Sequence, residues 1–293
     1  ILLRANVALH QKTDRYRHPK PESDHLKESS MKDSTNPRHW QLKRDIDGIG
    51  RLIFDKEGTS TNVLSGEVME ELNDILAEIE ADLPQGLIVM SGKANGFIAG
   101  ADISEFRTID DEQKARELVA QGQSVVRRLG ALKCPTVAAI NGFALGGGLE
   151  LPLGCHFRLA AAEGAQIGLP EMDLGTVPAW GGSARLSKCI GRDHALDMIL
   201  RARKISGPEA LRIGLVHEVW PLAELKDRAI ELAHELAAQP ALFNFWRDFK
   251  LTEPAIFDFY NESLEGINRR EWAFWKTYNA HFEQRLGPNA GIE

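Results

Sequence analysis

No two cysteines in this sequence are spaced Cys-x-x-Cys, and the three present, Cys134, Cys155 and Cys189, are an odd number. A disulfide framework is therefore excluded as the organising device, and the thiols read as small buried hydrophobes in a reducing compartment. No apolar run approaches the length of about 20 residues that spans a bilayer, so no transmembrane helix and no membrane partner are expected. Basic clusters are missing as well. The chain carries 35 Lys and Arg against 42 Asp and Glu, a net charge of −7. Residues 1–30 hold six basic and four acidic groups, or +2, which leaves −9 for the remainder. Nucleic-acid binding rests on clustered Lys and Arg facing phosphates, so nucleic acid is not an expected partner. Three catalytic signatures are also absent: a His-x-x-x-His metal spacing, a Gly-x-Ser-x-Gly nucleophile elbow, and a Gly-x-Gly-x-x-Gly after a strand. No metal and no dinucleotide cofactor is indicated.

What remains is the profile of an ordinary globular protein. The 293 residues are 43% hydrophobic and 26% charged, enough for one large domain or two small ones with a substantial core. The cytoplasm is the expected location. Residues 1–38 mix acids and bases without periodicity and are expected to be a disordered extension. They fit a processed leader, an added segment or the end of something upstream, and Met31 stands just before the first patterned stretch.

From there the pattern alternates. Ile49–Asp55 reads as a strand, 65–82 as a helix with Val68, Leu72, Ile75, Leu76 and Ile79 on one face, and Gly86–Met90 as a buried strand. A small-residue loop, Gly96-Phe-Ile-Ala-Gly-Ala-Asp102, follows it. Apolar positions 115, 118, 119, 125, 126, 129 and 132 predict a helix over 111–132. Thr136–Ile140, Phe157–Ala161 and Gln166–Gly168 read as further strands. After Gly181 the pattern is helical, with a capping-box start at Ser206-Gly-Pro-Glu209. Strand–helix alternation followed by helices predicts an α/β core over 39–220 and a helical region over 221–293. Twelve of the 21 aromatic residues lie between Phe243 and Phe282, a stretch suited to core or a subunit interface. No internal sequence repeat is visible.

The candidate chemistry lies in two glutamates. Glu150 ends Asn141-Gly-Phe-Ala-Leu-Gly-Gly-Gly-Leu-Glu150, a glycine-rich turn that opens a helix, and Glu171 sits in Gly168-Leu-Pro-Glu171-Met-Asp-Leu-Gly175. Each feature has two readings. Gly146–Gly148 can permit close packing, or can let a ligand approach the helix N-terminal N–H groups, which carry partial positive charge. Glu150 can serve the helix dipole alone, and Glu171 can be a surface turn. Together, two carboxyl groups beside two backbone N–H donors would make a site for proton transfer next to a polarised carbonyl.

In this order, the motifs resemble those of the crotonase superfamily, the enoyl-CoA hydratase/isomerase family. The informative stretches are Phe97–Asp102, Ile140–Glu150, and Gly168–Glu171 through Gly181–Leu186. They are also similar to the N-terminal module of multifunctional β-oxidation enzymes. The resemblance implies a spiral of ββα units with a helical C-terminal trimerisation region, assembled as a homotrimer or dimer of trimers. It implies an acyl-CoA substrate and no separate cofactor, coenzyme A being part of the substrate. The oxyanion donors fall on Ala101 and Gly147, the acid/base pair on Glu150 and Glu171, and the substrate-binding positions on Ala99, Gly100, Asp102, Gly146 and Trp180. Both glutamates together favour hydration of a 2-enoyl-CoA. Δ3,Δ2-isomerisation, thioester hydrolysis and decarboxylation are the alternatives within the family, and an RNA-binding or scaffolding homologue is the alternative outside catalysis. Two departures stand out: Pro152, expected to kink the helix behind Glu150, and Ala179 beside Trp180 in Pro178-Ala-Trp-Gly-Gly182, expected to reshape the acyl pocket.

Overall fold

The computed structural model describes residues 38–94, 96–105, 111–240 and Phe243. Two sheets organise them. The larger has six strands in the order β1 (Trp40–Arg44), β2 (Ile49–Phe54), β3 (Gly86–Ser91), β5 (Thr136–Ile140), β7 (Phe157–Ala161) and β10 (Glu218–Trp220). Only the β1–β2 pair is antiparallel. The smaller sheet runs β4 (Gly96–Ile98), β6 (Phe143–Leu145), β8 (Gln166–Gly168) and β9 (Lys204–Ile205), with only β8–β9 antiparallel.

From β3 to β8, successive strands alternate between the sheets. β3, β5 and β7 enter the large sheet, β4, β6 and β8 enter the small one, and helices α1 (Gly66–Ala81), α2 (Glu112–Ala131) and α3 (Gly147–Gly154) return the chain. The result is the spiral of ββα units. The central strands are short apolar runs because a parallel sheet is covered on both faces. Side chains alternate between those faces. Leu87, Val89, Ala138 and Ile140 join Leu72, Leu76, Val125, Val126 and Leu129 of α1 and α2 in the main core. Ile88, Val137 and Leu159 face the other way, onto Leu225, Ala229 and Ala233 of α7 (Leu222–Ala237). Three short helices precede α7: α4 (Gly182–Ile190), α5 (Arg192–Leu200) and α6 (Gly207–Arg212). No helix among the described residues is long and apolar enough to cross a membrane.

The structure differs from the sequence reading in several places, including strand β9 within the stretch read as helical. Gly96–Ile98, expected to be part of a loop, is strand β4, because Gly96 lies flat against the Phe143 ring and a Cβ there would come within 2.2 Å of it. A short strand, β6, separates the Asn141-Gly142 turn from the helix that the glycines open. Strand β1 was not anticipated: its polar alternation is that of an edge, and Glu71 holds its start by accepting from the His39 and Trp40 N–H groups. The capping box is half formed. Ser206 Oγ accepts from the Glu209 N–H, but the Glu209 carboxylate turns to Arg203 Nη2 at 3.0 Å. The aromatic-rich stretch 243–282 and the extension 1–38 lie, apart from Phe243 and Arg38, outside the described residues.

Candidate active site

All nine residues singled out from the sequence border one cavity of about 310 Å³: Glu150 and Glu171, Ala101 and Gly147, and Ala99, Gly100, Asp102, Gly146 and Trp180. They come from the loop after β4, the start of α3, and the segment around the 3-10 turn Glu171–Leu174.

Backbone pairing explains why two N–H groups are left over. Ala101 forms an isolated parallel bridge with Leu64, in which Leu64 N donates to Gly100 O and Asp102 N to Leu64 O. That pairing uses the groups on either side of Ala101, and its own N–H has no partner among the described residues. At the second loop, Gly146 N donates to Gly168 O at 3.0 Å, while Gly146 O accepts from Leu149 and Glu150. The N–H of Gly147, first residue of α3, is left without a partner among the described residues, as first-turn amides are when nothing caps them. Glycine is required beside it: Gly146 has φ 53°, and a Cβ on Gly148 would approach Ile98 O to 2.2 Å.

Glu150 is 3% exposed and tightly held. Its Oε1 accepts from Trp180 N at 2.8 Å and Gly182 N at 2.7 Å. Burial pushes its carboxyl up to about 7, with Glu171 adding to the rise, against the two backbone donors and the Arg185 guanidinium. Pro152 does not spoil this aim. It removes one helical hydrogen bond, yet α3 runs on to Gly154, and buried Arg158 donates to the Pro152, Cys155 and Leu215 carbonyls. A cation at that end also suits the helix dipole.

Glu171 is half-buried at the start of the 3-10 turn, and its carboxyl is likewise raised by burial. Its Oε2 is buried with no hydrogen-bond partner among the described residues. An unsatisfied buried carboxyl oxygen is costly, so this one is poised to take or give a proton. Oε1 would lie 3.1 Å from a Cβ on Gly146, which ties the two loops together. Asp102 borders the cavity with its charge already engaged: Ser104 hydrogen bonds, then Lys56, hold its carboxyl below the usual range.

Sequence reasoning missed three participants. Arg185, quoted only within a motif, donates from Nη1 to Trp180 O at 2.9 Å, between the two N–H groups that hold Glu150. Glu105 accepts from Gly66 N at 2.9 Å on the cavity wall. Gly122 sits inside α2, where glycine costs about 1 kcal/mol relative to alanine. That unfavourable choice was the available signal: Trp180 occupies the space, its Nε1 only 2.2 Å from where a Cβ would be. A Cβ on Gly147 would likewise meet the Trp180 ring at 2.7 Å, so the first thing it would strike is the indole rather than a ligand. Among the described residues the one grouping spaced for a cation, Asp45, Asp47 and His234, does not border the cavity.

The family model for enoyl-CoA hydratase/isomerase matches residues 47–250. The fatty acid oxidation complex subunit alpha of Shewanella frigidimarina is 41% identical over 227 residues, covering 75% of this chain and 32% of the relative. The same subunit of Shewanella putrefaciens is 43% identical over 196 residues, 66% of this chain and 28% of its own length. The chain thus spans about a third of these curated relatives. Among solved structures, an enoyl-CoA hydratase from Bacillus anthracis is similar at 31% identity and TM-score 0.70, covering 85% of this chain and 93% of that one. One from Geobacillus kaustophilus gives 29%, 0.70, 85% and 90%. On these matches, the chain belongs to the enoyl-CoA hydratase/isomerase family.

Proposed function

We propose that this chain hydrates 2-enoyl-CoA thioesters to 3-hydroxyacyl-CoA, as a step of fatty-acid β-oxidation or related acyl-CoA catabolism. The observation that carries the reading is the placing on one cavity of Glu150, Glu171 and two backbone N–H groups that have no partner among the described residues. The Ala101 and Gly147 N–H groups would receive the thioester oxygen and draw electron density from C3. Each preorganised donor of this kind is worth about 10²–10³ in rate. Water between the carboxylates loses a proton to Glu150 as its oxygen bonds to C3. Glu171 gives a proton to C2 as the enolate collapses. Water and the thioester are the only reactants, and coenzyme A belongs to the substrate.

Hydrogen bonding supports this division of roles. Two backbone donors and Arg185 favour the charged form of Glu150, whereas Glu171 Oε2 has no donor among the described residues. Burial raises both carboxyls, and the charge on Glu171 adds to the rise at Glu150. A panel of 2-enoyl-CoAs, followed by loss of the conjugated thioester absorbance, tests the reading. Absence of turnover on every chain length would refute it.

Isomerisation of 3-enoyl to 2-enoyl thioesters is the second reading, favoured by the unpartnered Glu171 oxygen, since one carboxylate suffices to move a proton between carbons. Glu150→Gln separates the two. It should stop hydration and spare isomerisation; equal loss of both would assign Glu150 a shared role. RNA retention in a filter-binding assay, with no hydration, would instead favour the non-catalytic alternative.

A further inference from the structure

The expected apolar stripe of α2 divides at Gly122. Beyond it, Val125, Val126 and Leu129 are buried in the core. Before it, Ala115, Leu118 and Val119 are only half-buried and border the cavity. Across from them Leu174, Val177 and Ile103 are exposed and border the same cavity. Two apolar walls left uncovered on one cavity fit an apolar ligand segment, in keeping with the acyl chain of the proposed reaction. From Gly122 to Ala115 is seven residues, about 10 Å at the helical rise.

Trp180 stands at the inner end of that channel. Its indole packs on the bare Cα of Gly122 and of Gly147, so it bridges α2 and the start of α3. The Trp180 backbone N–H donates to Glu150 Oε1 at an N···O distance of 2.8 Å, and Arg185 pins the Trp180 carbonyl. The ring is thereby fixed beside the carbons that would react, not at the distal end of the chain. A flat indole held by two glycines cannot withdraw into α2, because Gly122 already gives it the deepest seat that helix offers.

We infer that Trp180 is a specificity-determining residue: its indole, seated between Gly122 and Gly147, excludes bulky or aryl substituents near the thioester and sends a linear acyl tail along the Ala115–Val119 face of α2. This rests on the proposed function for the identity of the thioester, and it deepens that reading by naming the acyl class: linear chains, unbranched close to the carbonyl.

Binding of two saturated thioesters tests it without any turnover. Hexanoyl-CoA and 3-phenylpropanoyl-CoA are titrated calorimetrically into the wild-type protein, Trp180→Leu, Gly122→Ala and the double variant. Each methylene buried along the strip is worth about fourfold in affinity, whereas the phenyl group meets the indole. Wild type should bind hexanoyl-CoA at least tenfold more tightly, and Trp180→Leu should narrow that ratio below threefold. Gly122→Ala, whose Cβ pushes the indole into the cavity, should weaken hexanoyl-CoA binding alone but not in the Trp180→Leu background. A merely structural tryptophan would shift both ligands together. Equal binding of the two thioesters by wild type, or an unchanged ratio in a folded Trp180→Leu, overturns the inference. Should the expected pattern appear while no 2-enoyl-CoA is hydrated, the hydratase reading fails and the acyl specificity stands.

Discussion

Replacing Glu150 by glutamine should make the fold more stable, and increasingly so as pH rises. The wild-type carboxyl is raised from its ordinary 4.5 to about 7 by burial in the folded protein. The folded state therefore binds more protons than the unfolded one between those values, and stability falls with rising pH across that window. The contribution is fully present below about 4.5 and gone once pH passes about 7. A shift of that size corresponds to about 3 kcal/mol in total, of which about 2.5 kcal/mol accrues between about pH 5 and about pH 8. Glutamine keeps an oxygen for the Trp180 and Gly182 N–H groups but has no charge to desolvate. Its fixed offset cancels when the wild-type–variant difference at one pH is compared with that at the other. Thermal unfolding of both proteins should show the variant's relative advantage growing by about 5 °C or more over this range, given about 2–4 °C per kcal/mol for a chain of this size. A difference in Tm that does not change with pH would refute the argument that burial holds the Glu150 carboxyl up.

Glu171→Gln should reduce hydration by more than tenfold while leaving thioester binding nearly intact, because the amide keeps the shape and cannot supply the proton at C2; retained turnover would remove Glu171 from the acid role. Gly147→Pro deletes one oxyanion donor and should lower turnover by about 10²–10³. Since a side chain at 147 also strikes Trp180, Gly147→Ala should lose activity in the wild-type background and regain part of it in Trp180→Leu, and no recovery would show that the methyl group acts elsewhere. The family resemblance implies a trimer or hexamer in solution, and a sedimentation mass near 32.5 kDa at micromolar concentration would refute that.

Strand β5 and helix α2 were legible in the sequence because their signals are local. Thr136–Ile140 is a short apolar run ended by Asn141-Gly142, and 111–132 repeats its apolar residues at helical spacing. The same is true of the site's outline, since Gly146–Gly148 and the two glutamates lie in motifs whose order survives intact. Strands β4, β6 and β9 were not legible. Each has two or three residues, and what makes it a strand is its neighbour in the small sheet, as with Gly96 pressed against Phe143. The threefold ββα spiral leaves no sequence repeat either, because a packed core constrains volume and pattern rather than identity. What the residues determined alone was the inventory: a buried-strand pattern, a helix start open to a ligand, two carboxyl groups and no strong cation cluster. Tertiary structure decided the rest. It set Trp180 on Gly122, 58 positions away in sequence, gave Glu150 its two backbone donors, and left Glu171 Oε2 without any among the described residues. Those are relations between distant segments, fixed by close packing in three dimensions, and no local periodicity encodes them.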